Sequence, residues 1–362
     1  MTEMLADATV ETAPATAASV LRALLKPAFL RPSVLAPALL RPLRPARAAS
    51  TSTPSTPAPL RLVPAALDPS RFMPALRSYS GLRHRESRSP GGPVVLGRIG
   101  ALEVRLAVTA ADVRRAQRLR YEVFYEEMSA IPAAAARLAR RDVDAFDAIC
   151  DHLLVLDHDN CRMVRGRAVP RVVGTYRLLR QEIAQRHGGF YTAGEFDIAP
   201  LLARHPGRRF LELGRSCVLR PYRTKRTVEL LWHGIWAYVR QHGIDVMFGC
   251  ASLEGTNPAA LARPLAFLHH FAPVDPEWSA DALPRHAARM DLVPVEGLDA
   301  KAALNELPPL IKGYLRLGAQ IGRGAVVDHQ FGTTDVLIVL PVERISPRYL
   351  DHFGVNGERH AA

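Results

Sequence analysis

The sequence predicts one mixed α/β domain behind a long irregular tail, and three observations carry that prediction. From about Val94 onward, short segments with the two-residue period of strands alternate with segments of helical period. Residues 1–95 hold 14 of the 29 prolines, set among Ala, Ser, Thr and Arg. Proline at that density removes backbone donors and breaks helices, so the stretch reads as a disordered tail. No segment reaches the roughly 18 uninterrupted apolar residues needed to span a bilayer. The expected division is tail 1–95, domain 96–345 and C-terminal tail 346–362.

Taken in order, Leu102–Val108 alternates as a half-buried strand should. Ala110–Met128 follows as a helix, with Thr109 placed to cap it and Val113, Leu119, Val123 and Phe124 near one face. Asp151–Asp157 and Val172–Leu179 read as neighbouring strands and Phe210–Leu219 as a longer one. Thr227–His242 is the strongest helix, closed by Gly243 where a residue of positive φ belongs. Val246–Ser252 suits a buried strand, and Pro258–Phe271 a helix with proline at its tolerated first position. A helix over Leu310–Ile321 and a strand over Val336–Leu340 complete the domain.

The net charge is +12, with a pI near 10.0. Residues 1–95 carry 12 Lys+Arg against 5 Asp+Glu, a net of +7, which leaves +5 for the rest. Basic residues spaced through Val20–Arg47 suit peripheral contact with an anionic membrane surface, although Pro27, Pro32, Pro37, Pro42 and Pro45 cut that stretch into single turns. A basic nucleic-acid-binding protein is the competing class. No recognised nucleic-acid motif accompanies the charge, so no such partner is expected. Cys150, Cys161, Cys217 and Cys250 lack paired metal-ligand spacing, and no secretory signal precedes them. They point to reduced thiols in a cytoplasmic protein without a metal site.

The most informative stretch is Phe210–Leu231, where a long strand passes through a basic turn into a helix. The free N–H groups and positive dipole end of that helix favour a phosphate, and Arg220, Arg223, Lys225 and Arg226 surround it. This segment resembles the acyl-donor motif of the GNAT superfamily, a strand followed by (Gln/Arg)-x-x-Gly-x-(Gly/Ala). Arg223–Val228 occupies that place, with Arg226 and Val228 where the glycines would wrap a coenzyme A pyrophosphate. An acyl carrier protein presents a single phosphodiester and an acidic helix, which suits the basic turn better. The resemblance therefore implies a 4′-phosphopantetheine thioester of acyl carrier protein as co-substrate, with no bound cofactor. It places Cys217, Val218, Leu219, Arg220, Arg223, Lys225 and Arg226 on the donor side, with a backbone N–H near Cys217–Leu219 meeting the oxyanion. It also implies a GNAT-like, mostly antiparallel sheet flanked by helices.

A second set of residues runs in order: Arg120 and Phe124 in RYEVF, Asp144 and Asp147 in DVDAFD, His152, Arg177 in VVGTYRLL, then Glu212 and Arg215 in ELGR. This order resembles the acyl-homoserine-lactone synthases, so an autoinducer synthase is the enzymatic alternative. Residues 307–341 resemble the C-terminal block of hemolysin-like ornithine N-acyltransferases, which the lactone synthases lack. The implied reaction moves a (3-hydroxy)acyl group to the α-amine of L-ornithine, giving lyso-ornithine lipid, the first step of ornithine lipid biosynthesis.

An amine that attacks a thioester must first lose its proton, and Glu212 is the candidate base. Strand alternation predicts that its side chain shares a face with Gly214 and Ser216, opposite Leu211, Leu213 and Arg215. By resemblance, Asp144 and Asp147 would hold the substrate's amines and Arg120, Arg177 or Arg215 its carboxylate, with Phe124 in the same pocket. Tyr314 and the pair His269–His270 are open alternatives for the acid. Cys217 reads as a small buried hydrophobe and not a nucleophile.

Overall fold

A computed structural model describes Leu21, Leu24, Leu25, residues 94–128 and residues 130–346. Its centre is an eleven-stranded sheet. The long strands are β1 (Val95–Ile99), β2 (Leu102–Leu106), β3 (Asp151–Val164), β4 (Arg167–Arg180), β5 (Phe210–Val218), β6 (Val246–Glu254), β7 (Gln320–Asp328) and β8 (Thr333–Pro341). They lie in the order β1-β2-β3-β4-β5-β6-β8-β7, with the two-residue strands Asp281–Ala282 and Phe196–Asp197 beyond β7. Pairing is antiparallel throughout the long strands except between β5 and β6, which run parallel.

The main helices are α1 (Ala110–Tyr121), α2 (Lys225–His242), α3 (Ala262–Phe271) and α4 (Pro309–Leu317). Thr109 caps α1, its hydroxyl accepting from the Asp112 N–H at 3.1 Å. The predicted continuation to Met128 is there, but Glu122–Glu127 is wound as a π-helix. Gly243 closes α2 at φ 56°.

Two predicted elements are shorter than expected. Pro258 lies outside α3, because the Asn257 side chain accepts from the Ala259 N–H at 3.1 Å and closes a turn first. Helix α4 stops at Leu317, since Gly318 adopts φ 99°, and Ile321 belongs to β7. That strand escaped the sequence reading because Gly322 and Gly324 interrupt its alternation.

Alternation along β5, β6 and β8 divides the core. Leu211, Leu213, Met247, Ala251, Val336, Ile338 and Leu340 join a cluster with Leu230, Leu231, Leu265 and Ile311 of the main helices. Phe210, Phe248, Leu337 and Val339 face the other way, onto Phe190, Phe196, Leu201 and Trp278. Burial of side chains this size is worth about 1.5–3 kcal/mol each, so both faces of the central strands are firmly held.

Leu21, Leu24 and Leu25 depart from the tail reading: the Leu25 N–H donates to the Leu21 carbonyl at 2.9 Å, and all three pack on the larger cluster. The remainder of residues 1–93, including the basic stretch to Arg47, and residues 347–362 lie outside the described residues, while Val95 already opens β1. Among those described, no helix is long and apolar enough to cross a membrane.

Candidate active site

Strands β5 and β6 pair only from Phe210 to Glu212 and from Val246 to Phe248. Beyond that point β5 stays with β4 and β6 with β8, so the sheet opens as a fork. Gly249 stands at its apex with φ 156°, and a Cβ there would come 2.3 Å from the Leu213 carbonyl oxygen. Only glycine allows that approach. Leu213, Met247, Gly249, Tyr314, Ile338 and Leu340 line an apolar cleft below the fork.

The β4–β5 register places Arg177 opposite Gly214 and Thr175 opposite Cys217, so Tyr176 alone faces both Arg215 and Ser216. This is a bulge, and Arg215 takes it up at φ 48°. It overturns the uninterrupted alternation expected for β5. Arg215 turns to the same face as Glu212 and Arg177, while Ser216 turns to the other and hydrogen-bonds Tyr176.

On the Glu212 face, three arginines and three aspartates form one network. Arg120 is fully enclosed: Nε donates to Asp142 at 2.7 Å, and Nη2 donates to the Asp142 carbonyl at 2.7 Å and to both Asp147 oxygens at 2.7 and 2.8 Å. Asp147 also accepts from Gln117 at 3.0 Å and lies 3.4 Å from Arg177. Asp144 caps the short helix Ala145–Ala148, accepting from the Phe146 N–H at 2.9 Å, and pairs with Arg177 and, at 3.3 Å, with Arg215. Burial pushes the Asp147 carboxyl up, but the charges of Arg120 and Arg177 outweigh it and hold it at about 2.

Asp142 was missed in the sequence, although it opens the same DVDAFD run. It bridges Arg120 and Arg215, the latter at 3.4 Å, and accepts from the Tyr125 hydroxyl at 3.0 Å. Aromatic rings hold the outer guanidiniums. Arg215 lies over Tyr191 and Phe331 at 4.9 and 4.6 Å from their centroids, and Phe124 packs edge-on against Phe331 at 5.7 Å. Neither Tyr191 nor Phe331 carried a sequence signal.

Glu212 sits at the last paired position before the fork. Its carboxylate accepts from the Tyr191 N–H at 3.1 Å and the Thr192 N–H at 2.6 Å. Burial pushes its pKa up, with the Thr192 and Tyr191 donors and Arg177 opposing. His152 contacts the Asp147 carbonyl at 3.0 Å, and burial lowers it to about 4, so it is neutral at physiological pH. The enclosed Cys217 thiol is pushed up to about 12 by burial, which leaves no thiolate to act as nucleophile.

On the donor side, Leu219 N–H donates to the Val173 carbonyl at 2.9 Å and is committed to the sheet. Ladder alternation commits Cys217 likewise and turns the Val218 N–H away from β4, toward the fork. Helix α2 begins at Lys225 behind the Thr224 cap. Arg223 is bound bidentately by Glu127 at 2.6 and 2.9 Å, its Nε donating to the Val218 carbonyl, whereas Lys225 reaches only Glu229 at 3.2 Å. Arg220, Lys225 and Arg226 are exposed. Tyr314 is buried with its hydroxyl 3.5 Å from that of Tyr176, and His270 bonds the Val293 carbonyl at 2.9 Å.

A forked mixed sheet carrying a helix N-terminus beside a buried acid defines an N-acyltransferase of the GNAT type, and a profile described as an acetyltransferase (GNAT) domain matches residues 119–233. The chain is 58% identical over 268 residues to the L-ornithine N(alpha)-acyltransferase of Rhizobium meliloti (strain 1021), covering 74% of this chain and 89% of that protein. The enzyme of the same name from Brucella abortus (strain 2308) is 52% identical over 77% of this chain and 99% of its own length. That from Rhodobacter capsulatus is 43% identical over 69% and 94%. The chain belongs to the L-ornithine N(alpha)-acyltransferase family. Among solved structures it is similar to an N-acyl amino acid synthase from uncultured soil microbes, with 11% identity, a TM-score of 0.37, and 74% and 99% of the two chains covered. A CoA-dependent acyl-homoserine lactone synthase gives 16% identity and a TM-score of 0.35, covering 67% and 82%.

Proposed function

We propose that this enzyme transfers an acyl group from an acyl-carrier-protein thioester to the α-amine of L-ornithine, in the cytoplasm at the start of ornithine lipid synthesis. The observation that carries the reading is the fork, with Glu212 at its last paired position and the Val218 N–H turned toward it. The α-amine nitrogen attacks the thioester carbon while Glu212 takes its proton, directly or through a water. The carbonyl oxygen gains charge against the Val218 N–H. The C–S bond then breaks, and the pantetheine thiol leaves with a proton. Arg215, the most exposed of the three network arginines, meets the substrate carboxylate.

A carrier protein is favoured over coenzyme A by the glycine-free turn, where the exposed Arg220, Lys225 and Arg226 suit an acidic helix. A lipid product also suits peripheral contact with the anionic membrane. The test incubates purified protein with acyl-carrier-protein and acyl-CoA thioesters in turn, each with a panel of amino acids, and reads products by mass spectrometry. N-acyl-ornithine from the carrier thioester is expected. Equal rates from coenzyme A would remove the carrier assignment, and an acyl lactone formed from S-adenosylmethionine without N-acyl-ornithine would end the reading.

A further inference from the structure

Ornithine differs from most amino acids in carrying a second cation, and the acids of the arginine network are poorly placed to receive it. Asp142, Asp144 and Asp147 are already matched by Arg120, Arg177 and Arg215. A second acidic group lies on the same face without such a match. Glu195 follows the short helix Tyr191–Gly194, Asp335 stands on β8 opposite Ser252 of β6, and Asp328 ends β7. One carboxylate oxygen from each lies within 4.8 Å of the others. Among the described ion pairs, none joins a Lys or Arg to any of the three.

Clustering alone would say little, since exposed acids gather harmlessly in water. Asp335, however, is only 6% exposed, and its enclosed Oδ1 has no donor; Oε2 of Glu195 is enclosed without a donor as well. Buried polar atoms are nearly always satisfied, so two enclosed carboxylate oxygens without donors, on side chains that approach within 4.8 Å of each other, mark the place of a missing donor. Asp328 serves the turn too, accepting from the Gln330 and Phe331 N–H groups at 2.8 and 3.0 Å. The surroundings tie this spot to the candidate site. The Tyr191 ring lies under Arg215 and its N–H holds Glu212, while Cys250 and the Tyr191 hydroxyl flank Glu195.

We infer that Glu195 and Asp335, with Asp328 behind them, form the pocket that takes the distal ammonium of the diamino acid and thereby selects it over neutral amino acids. This rests on the ornithine reading above and adds a third point of attachment: Arg215 for the carboxylate, Glu212 for the reacting amine, and the acid pair for the side-chain cation. Without a cation, burial and the charge of Asp335 push Glu195 to about 7 against hydrogen bonds from Cys250 and Tyr191, and burial with the charge of Asp328 pushes Asp335 to about 6 against hydrogen bonds from Ser252 and Thr333 and the charge of Arg215. An ammonium bridging them reverses that repulsion and supplies the absent donors.

The test compares L-ornithine with L-norvaline, which has the same carbon chain and no distal ammonium, using the full-length protein. For Glu195→Gln and Asp335→Asn, the ratio of kcat/KM for ornithine to that for norvaline should fall about tenfold or more, the scale for leaving a charged substrate group unmatched. In wild type the same ratio should rise between pH 5.5 and 8 as the pair ionises, which keeps the inference testable if a variant does not fold. A ratio unchanged by either variant, or flat with pH, overturns the pocket. So does recovery of the variants by Mg²⁺ or Ca²⁺, or loss of wild-type ornithine turnover in EDTA, since both assign the acids to a metal. If wild type forms no N-acyl-ornithine at all, the ornithine reading itself fails.

Discussion

Replacing Arg120 by Met tests whether the aspartates it touches are internal partners of the fold. The substitution removes four donor contacts of 2.7–2.8 Å from a fully enclosed guanidinium and keeps much of its volume. Asp142 keeps Tyr125 and Arg215 at 3.0 and 3.4 Å, and Asp147 keeps Gln117 and Arg177 at 3.0 and 3.4 Å, so neither aspartate is wholly stripped. The displacement of Asp147 from 3.8 to about 2 corresponds to about 2 kcal/mol, part of it due to Arg177. Breaking a buried pair by removing one partner costs about 3–5 kcal/mol. The variant should therefore lose about 3–5 kcal/mol at pH 7, or roughly 10 °C in Tm for a domain of this size. The depressed pKa of Asp147 gives stability that is present above 3.8 and lost as pH falls toward 2. With Arg120 gone that carboxyl loses the larger of its two arginine charges, so the gap between wild type and variant should narrow as pH falls below 3.8. Urea midpoints at pH 7.5 and about pH 3 measure both. A loss under about 1 kcal/mol, or a gap that does not change with pH, would refute the reasoning.

Three further expectations concern the chemistry. Glu212→Gln should lower kcat by about 10²–10⁴-fold and cost about 1–3 kcal/mol of stability, because the amide carbonyl accepts from only one of the Tyr191 and Thr192 N–H groups and leaves the other facing an amide N–H; normal turnover removes Glu212 from the mechanism. Cys217→Ala should keep turnover within a few-fold, since the buried thiol is un-ionised, and a thousandfold loss together with an acyl-enzyme adduct by mass spectrometry would contradict this. Lys225→Ala combined with Arg226→Ala should raise KM for acyl carrier protein and flatten its salt dependence while leaving kcat near wild type. An unaltered KM would place the carrier elsewhere. Arg223 is left intact in that variant because its pairing with Glu127 gives it a second, structural duty.

Much of the fold was legible because the amphipathic periods are strong. Helix α2, with Gly243 at its end, and the strands around Leu153, Val173 and Phe248 fall close to where the sequence places them. What failed were the places where backbone conformation departs from its period: the π-helical end of α1, the turn that delays α3, and the glycine-interrupted β7. The site followed the same rule. Arg120, Asp144, Asp147, Arg177, Glu212 and Arg215 stand out by their order in the sequence, and the structure gathers them on one face. Their partners were not found, since Asp142 pairs across folded distance and Tyr191, Glu195 and Asp335 meet only when a short helix and two strands converge. Nothing in local sequence encodes that two carboxylates far apart in the chain share an enclosed space.

The bulge at Arg215 gives β5 two independent phases. Upstream, from Phe210 to Gly214, side-chain direction is set by pairing with the end of β4; downstream, from Ser216 to Val218, it is set afresh by Tyr176 and Thr175. Point substitutions on either side are local matters, but a change of chain length is not. Deleting one residue at the bulge would rotate everything after it by half a turn, sending the Cys217 side chain to the α2 side and swinging the Val218 N–H back toward β4. Glu212 would stay in place while the Val218 N–H no longer faced the fork. The segment should therefore tolerate many exchanges of residue type and almost no single-residue indel, a pattern that a saturation and deletion scan across residues 212–219 would display directly.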